Sequence, residues 1–357
     1  VIEKCLESLQ LKNFRCFESV EFHFQKPIIL IQGTNGSGKT SLLEALHYLC
    51  YLRSFRTHVP REMTRFGAEG FFIKAIYNDQ EIKVGCVGNK RHVRIDQKNI
   101  ESYHELRKVY RIVTVTDDDL GLIKEGPDKR RAFLDHALLL YNPELLSLFQ
   151  NYKHILESRN ALLHRFERNK EELEIWTKQL WELTQKVQHE RILFLEELRT
   201  ALENPLTKHW QDRSLILEYS TKKRSSESTW QEFYTHWTTT LIKDEYFYKR
   251  SLFGTHLDDV IITFDGKPAK LYSSRGQQKL IVFLIKMAQI SLLIKKQGSA
   301  IFLLDDFMSD FDEQTMHKLI NACSELKTQL IFTTPTSNGI DSQILLNHDT
   351  QIIKLDF

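Results

Sequence analysis

An α/β fold that holds nucleotide phosphates is predicted by three separated segments of this chain. Residues 33–40 read GTNGSGKT, residues 273–279 read SSRGQQK and residues 301–306 read IFLLDD. The first fits the phosphate-loop pattern G-x-x-x-x-G-K-[ST]. The third is an apolar run ending in carboxylates, the arrangement that sets an acid beside a bound magnesium ion. The second is a Ser/Gly segment far from the loop, and it points to a nucleotide closed in by two copies of the protein.

Composition sets the bounds. The 357 residues allow one large domain or two to three ordinary ones, and 41% hydrophobic content fills a substantial core. A formal charge of +2 says little about partners, so a nucleic-acid partner requires a local basic face. No apolar stretch of about 18 residues stands out, so no membrane span is expected. The mixed polar and apolar residues VIEKCLESLQ do not read as a signal peptide. The five cysteines are scattered with no C-x-x-C pair, which favours reduced thiols in a cytosolic protein.

The elements follow in order. Val20, Phe22 and Phe24 alternate until Lys26-Pro27 breaks the run, and residues 28–31, all Ile or Leu, read as a buried strand. That strand feeds the glycine loop, and residues 41–52 read as a helix with Leu42, Leu43, Leu46 and Leu49 on one side. Residues 70–115 read as short strands and hairpins. Residues 144–204 hold no Gly or Pro; as one helix they would run about 90 Å, so two or three packed helices fit better. Leu173, Trp176, Leu180, Leu183 and Val187 keep heptad spacing until Glu190 ends it, which predicts a helical hairpin. Residues 205–250 read as helical with a polar break at 221–229. Asp265-Gly266 predicts a hairpin between 259–264 and 267–272. Helices are expected at 276–295 and 313–325, and strands at 301–304, 329–332 and 351–355.

The chemistry assigns roles. Gly33, Gly36 and Gly38 turn the backbone so that its amides face phosphate oxygens, and the helix start adds its positive end. Lys39 is expected to span the outer phosphates and Thr40 to hold magnesium. Asp305 is expected to reach that metal, directly or through water. Asp306 is the candidate to polarise the attacking water, and as a short acid it implies slow turnover. Ser273, Ser274 and Gly276 offer hydroxyls and free amides to an anion, although simple helix capping explains them equally well.

Together these motifs resemble ABC-type ATPase heads, and more narrowly the RecF family. SSRGQQK is similar to the family signature, and residues 303–312, LLDDFMSDFD, to its Walker B motif and D-loop. The opening LKNFRCFESVEFHF resembles the N-terminal pattern of RecF and its SMC/Rad50 relatives, and RSFRT, GPDKRRAFLD, ESRNALL and GTHLDD resemble RecF itself. Thr255 and Leu257 stand where RecF commonly has Pro and Arg, and Asp117 and Asp118 where it often has Pro and Glu. Lys39 and Ser273 lie 234 residues apart, too far for a transporter subunit and too near for a long coiled coil.

The resemblance implies an α/β ABC-type ATPase head with mixed sheets and a compact helical second lobe. The expected division is 1–140 and 251–357 for the ATPase lobe and 141–250 for the helical lobe. It implies ATP and Mg2+ as ligands: Gly33, Thr34, Asn35, Gly36, Ser37, Gly38, Lys39, Thr40, Ser41 and Arg15 of one subunit face Ser273, Ser274, Arg275, Gly276 and Gln277 of another. Lys39 and Asp306 are the catalytic pair. Ser309, Asp310, Phe311 and Asp312 form the D-loop, and Thr333 and Thr334 stand near the γ-phosphate. The implied function is ATP-dependent homodimerisation on double-stranded DNA and single-strand/double-strand junctions, with RecR as partner and RecO and RecA linked to it, in the cytoplasm at the nucleoid. Candidate DNA phosphate contacts are Arg53, Arg56, Arg61, Arg65, Lys129, Arg130 and Arg131, with Lys222-Lys223-Arg224 a further basic cluster; Arg130 or Arg131 pairing with Asp135 is the alternative. Competing readings are a different SMC-like or overcoming-lysogenization-type ATPase, and a nucleotide-controlled interaction protein with negligible catalysis.

Overall fold

The computed structural model describes residues 6–88, 90–100, 105–106, 109–165, 170–221, 229–298, 300–306, 311–326, 328–335 and 349–355. The calls on Ser309, Asp310 and residues 222–224 fall outside them. Two compact units emerge. The first comprises residues 1–120, 204–211 and 274–357, and the second residues 121–203 and 212–273.

The first unit contains two sheets. In one, strands β1 (Leu6–Phe14), β2 (Phe17–His23), β4 (Gly70–Tyr77), β5 (Gln80–Val87), β6 (Lys90–Ile95) and β7 (Lys98–Asn99) run antiparallel in the order β2-β1-β4-β5-β6-β7. Burial alternates along β4, as expected where one face meets the core. The other sheet is parallel, in the order β14-β3-β13-β12-β8. It is built from β3 (Ile28–Gly33), β8 (Ile112–Val115), β12 (Ile301–Leu304), β13 (Gln329–Pro335) and β14 (Thr350–Leu355). Every residue of β8 and β12 is buried. Strands covered on both faces read as unbroken apolar runs, which is why β12 was visible in the sequence, whereas β8, interrupted by Thr114, was read only among the short strands of residues 70–115.

Helix α1 (Lys39–Tyr51) follows β3 directly, and Leu42, Leu43, Leu46 and Leu49 are all buried. The 23-residue helix Arg275–Gln297 packs on β8. By length and composition it is apolar enough to cross a membrane, with a mean hydropathy of 1.4, contrary to the expectation that no such stretch exists. Its apolar window is 78% buried inside the structure, as in the core helix of a packed domain.

The second unit holds helices α2 (Pro127–Tyr141), α3 (Leu146–His164) and most of α4 (Lys170–His209), with a three-stranded sheet in the order β11-β10-β9. The expected helical hairpin is present as α3 and α4. Helix α4 runs 40 residues, past Pro205, or about 60 Å. Leu173, Leu180 and Val187 of the heptad series are buried, clustered with Phe233, Trp237 and Phe253. Residues 205–250 are not wholly helical: Leu215–Ser220 forms β9, pairing with β10 (Asp259–Phe264). Leu215 and Leu217 point inward while Ile216 and Glu218 point out, a two-residue period too short to outweigh the helical flavour around it. The hairpin at Asp265-Gly266 forms, but its second arm, β11 (Lys267–Pro268), is only two residues long.

Arg159 anchors this unit. Its side chain is fully buried and donates to both carboxylate oxygens of Glu245 at 3.0 and 2.5 Å, to Ser251 at 2.7 Å and to Thr177 at 2.9 Å. Trp237 Nε1 and the Leu252 amide also donate to Glu245, each at 2.9 Å. A fully desolvated ion pair persists only when its remaining hydrogen-bonding capacity is met in this way.

Candidate nucleotide site

The glycine loop joins the end of β3 to the start of α1, between two strands that run parallel to β3. Gly38 has φ of +94°, a conformation that side chains resist. A Cβ at Gly33 would lie 2.3 Å from Ser37 Oγ and 2.7 Å from the Leu355 carbonyl oxygen, so no larger residue fits without displacing backbone. Lys39 is buried, and its ammonium donates to the Gly33 and Thr34 carbonyls at 2.8 Å each. The Ser37 hydroxyl is buried and meets no hydrogen-bond partner among the described residues. Such an orphaned group next to a helix start is what an incoming anion would satisfy. Beside the loop lies a cavity of about 210 Å³, walled by residues 16–20 with Gly36 and Ser37.

Three strand ends converge next to Thr40. Its hydroxyl donates to Asp305 Oδ1 at 3.1 Å, the Thr333 hydroxyl donates to the same oxygen at 3.0 Å, and the Asp306 amide donates to Thr333 Oγ1 at 2.8 Å. Burial raises the Asp305 carboxyl above its ordinary value; the Thr333 and Thr40 hydroxyls oppose the rise, Asp306 adds to it and Arg56 opposes it. Hard oxygen donors in a partly dry site suit a small divalent cation that takes its other ligands from phosphate and water. Asp306 is exposed and sits at φ +45°, in the left-handed region. Thr334 is buried at the end of β13.

Arg15 and Glu44 meet beside this cluster. Arg15 Nε and Nη2 donate to the two oxygens of the fully buried Glu44 carboxylate at 2.8 and 2.6 Å, and Nη1 donates to the Glu62 carbonyl at 2.6 Å. The Ser54 hydroxyl also donates to Glu44, and Arg56 Nη1 stands 3.7 Å away. Sequence reading missed Glu44. Its one trace was an acid amid leucines on the buried side of α1.

The segment at 273–277 starts a helix, α5 (Arg275–Gln297). Ser274 caps it: its amide donates to Gln277 Oε1 at 2.8 Å, and its hydroxyl accepts from the Gln277 amide at 3.3 Å. This is the reciprocal arrangement that the capping reading expects. Asp312 caps helix α6 (Glu313–Glu325) by accepting from the Thr315 amide at 2.9 Å, and Phe311 just before it is half-buried.

The basic candidates separate. Arg53, Arg56 and Arg61 are exposed, and Arg65 is half-buried and pairs with Glu18 at 3.1 Å. Phe66 beside them is fully exposed. Lys129 is exposed. Arg130 leaves the surface set: it is buried and forms a two-point pair with Asp259 at 2.7 and 2.9 Å. Arg131 donates to the Asp258 carbonyl at 2.5 Å and to Asp128. The anticipated pairing of either with Asp135 does not form, because Arg191 occupies both Asp135 oxygens at 2.7 and 2.8 Å.

An AAA domain family model matches residues 8–234, more than half of the chain. The DNA replication and repair protein RecF of Natranaerobius thermophilus is 27% identical, covering 98% of this chain and 96% of that protein. A structure described as the recombination mediator protein RecF with ATP superposes with a TM-score of 0.83 at 24% identity, over 95% of this chain and 94% of the other. The Smc head domain from Pyrococcus furiosus reaches only 0.57 at 16% identity, over 99% and 93% of the two chains. The chain therefore belongs to the AAA domain family of ATPases, and it is similar over nearly its whole length to RecF proteins.

Proposed function

We propose that this ATPase is a nucleotide-closed clamp on duplex DNA. ATP lies between the phosphate loop of one copy and the Ser273–Gln277 turn of a second. The observation that carries the reading is the hydrogen-bonded chain Thr40–Asp305–Thr333–Asp306, set beside a loop whose lysine and buried serine face an anion position. Thr40 and Asp305 would hold Mg2+, which supplies charge neutralisation at the phosphates. Lys39 exchanges two backbone carbonyls for phosphate oxygens. Asp306 orients the attacking water. Its short side chain fits slow hydrolysis, which suits a timer that keeps the clamp shut and then opens it.

The partner copy contributes the positive start of its helix α5, where anions are stabilised. Bound ATP thus adds an attraction that two free chains lack, and closure becomes ligand-dependent. The exposed arginines at 53, 56 and 61 supply contacts to the phosphate backbone of duplex DNA and of single-strand/double-strand junctions, which carry no sequence information. RecA loading with RecR and RecO is the cellular task that the resemblance to RecF suggests. The greater likeness to the RecF structure than to the Smc head supports this reading over the SMC-like one.

Mass and DNA affinity measured together without nucleotide, with ADP and with ATP·Mg2+ test it. The expected outcome is dimer formation and tighter duplex binding with ATP alone. Equal DNA affinity in all three states would reject the clamp.

A further inference from the structure

The stretch 116–119 joins the metal-side strand end to the signature helix of the same chain. The Asp305 amide donates to the Val115 carbonyl at 2.9 Å, as β12 and β8 run side by side. The chain then turns: Asp119 Oδ2 accepts from the Thr116 amide at 2.8 Å and fixes the bend. From that bend Asp117 Oδ1 reaches Lys279 Nζ at 3.1 Å and Oδ2 faces Arg275 Nη2 at 3.8 Å. Asp119 Oδ1 holds Lys286 Nζ at 2.8 Å, and that ammonium also donates to the Thr114 carbonyl at 3.0 Å.

Lys279 and Lys286 lie one and three turns into α5, on the side that meets β8. Lys279 is only 1% exposed, whereas Asp117 is 62% exposed. A buried ammonium demands a fixed partner, and a carboxylate at the surface end of the pair meets that demand without being buried itself. Arg275 and Gly276, the two residues after the Ser274 cap, therefore start a helix whose first turns are clamped to the chain two residues beyond Val115.

We propose that Asp117 is a positioning residue for ATP-driven closure: by holding Lys279 and Arg275 it sets the orientation of the Ser274–Gly276 turn relative to Asp305 of the same chain. In a closed dimer each chain has its metal-side strand at one nucleotide and its signature turn at the other. The Asp117 link thus couples the two nucleotides. The inference rests on the two-copy site proposed above.

The test compares wild type, Asp117→Asn, Asp117→Glu and Lys279→Met by ATP titration of the monomer, ATP-induced dimerisation in light scattering, steady-state hydrolysis and melting temperature. Asp117→Asn should leave monomer ATP affinity within about twofold and weaken ATP-driven dimerisation by about tenfold, a coupling of the size usual between linked sites. It should lower kcat with little change in KM, and Asp117→Glu should restore part of both. A residue that only stabilised the fold would lower the melting temperature and leave dimerisation of the folded protein unchanged. If Asp117→Asn dimerises like a dimerising wild type, the positioning role is overturned while the shared site stands; Lys279→Met dimerising normally overturns it equally. A wild type that stays monomeric with ATP rejects the shared site and this inference together.

Discussion

Lys39 shows how the free loop keeps its shape. Its ammonium bridges two carbonyls of its own loop, tying residues 33 and 34 to the start of α1. Lys39→Ala is expected to weaken ATP binding by about 10- to 100-fold, the worth of charge-assisted hydrogen bonds to the ligand. Titration with a fluorescent ATP analogue reads it directly, and unchanged affinity would remove Lys39 from the site. Asp305 gives a pH-dependent prediction. Its folded-state carboxyl is raised, chiefly by burial. The folded state therefore binds the proton more strongly than the unfolded chain, and stability falls as pH rises from the unfolded value through the folded one. At neutral pH the ionised group is a standing cost. Asp305→Asn keeps an oxygen for Thr40 and Thr333 and removes that cost. It is expected to raise the melting temperature of the ligand-free protein at pH 7.5, with the gain vanishing in acid, and to abolish Mg2+-dependent hydrolysis. Scanning fluorimetry at both pH values checks this, and a lower melting temperature at neutral pH would contradict it. The loop residues were legible because spacing alone specifies their chemistry. Glu44 was not, because only three-dimensional proximity shows that one carboxylate gathers Arg15, Ser54 and Arg56.

Among the elements, those with a single strong period were legible. Helix α1 announced itself by its leucines, and β12 by an unbroken apolar run. Strand β9 did not, since two inward leucines give too short a pattern to stand against a helical neighbourhood. The exact extent of α4 was also hidden, because Pro205 normally marks a helix end and here lies within it. The buried contacts that fasten such elements are invisible to periodicity altogether. Arg159 reads as one more polar residue of α3, yet it joins that helix to Thr177, Glu245 and Ser251. Arg159→Met should destabilise the second unit by about 3–5 kcal/mol, since the Glu245 charge would remain buried without its counter-ion. Urea denaturation followed by tryptophan fluorescence measures the loss, for Trp237 lies within 5.9 Å of that guanidinium. A change below about 1 kcal/mol, the worth of an exposed pair, would show that the pair is dispensable.

For the whole molecule, the separation of the phosphate loop from the Ser274 turn by 234 residues was legible as distance along the chain and not as geometry. Half of the proposed site belongs to a second copy, so no single chain displays it. Asp306→Asn addresses the assembled state: it should retain ATP binding and lengthen the lifetime of the ATP-bound dimer, because in the proposed clamp closure persists when the carboxylate assigned to orient water is gone. Light scattering after removal of free ATP follows the decay. A variant dimer that falls apart as fast as the wild-type one would assign Asp306 another role.

The backbone beneath Asp306 adds a constraint of its own. Its φ of +45° lies where aspartate and asparagine are at ease and longer side chains are seldom found. An engineer hoping to quicken the enzyme by exchanging this residue for glutamate would gain one methylene of reach and unsettle the bend that aims it. In the proposed clamp, the pace of hydrolysis would then be set by the shape of the chain as much as by the acid it carries.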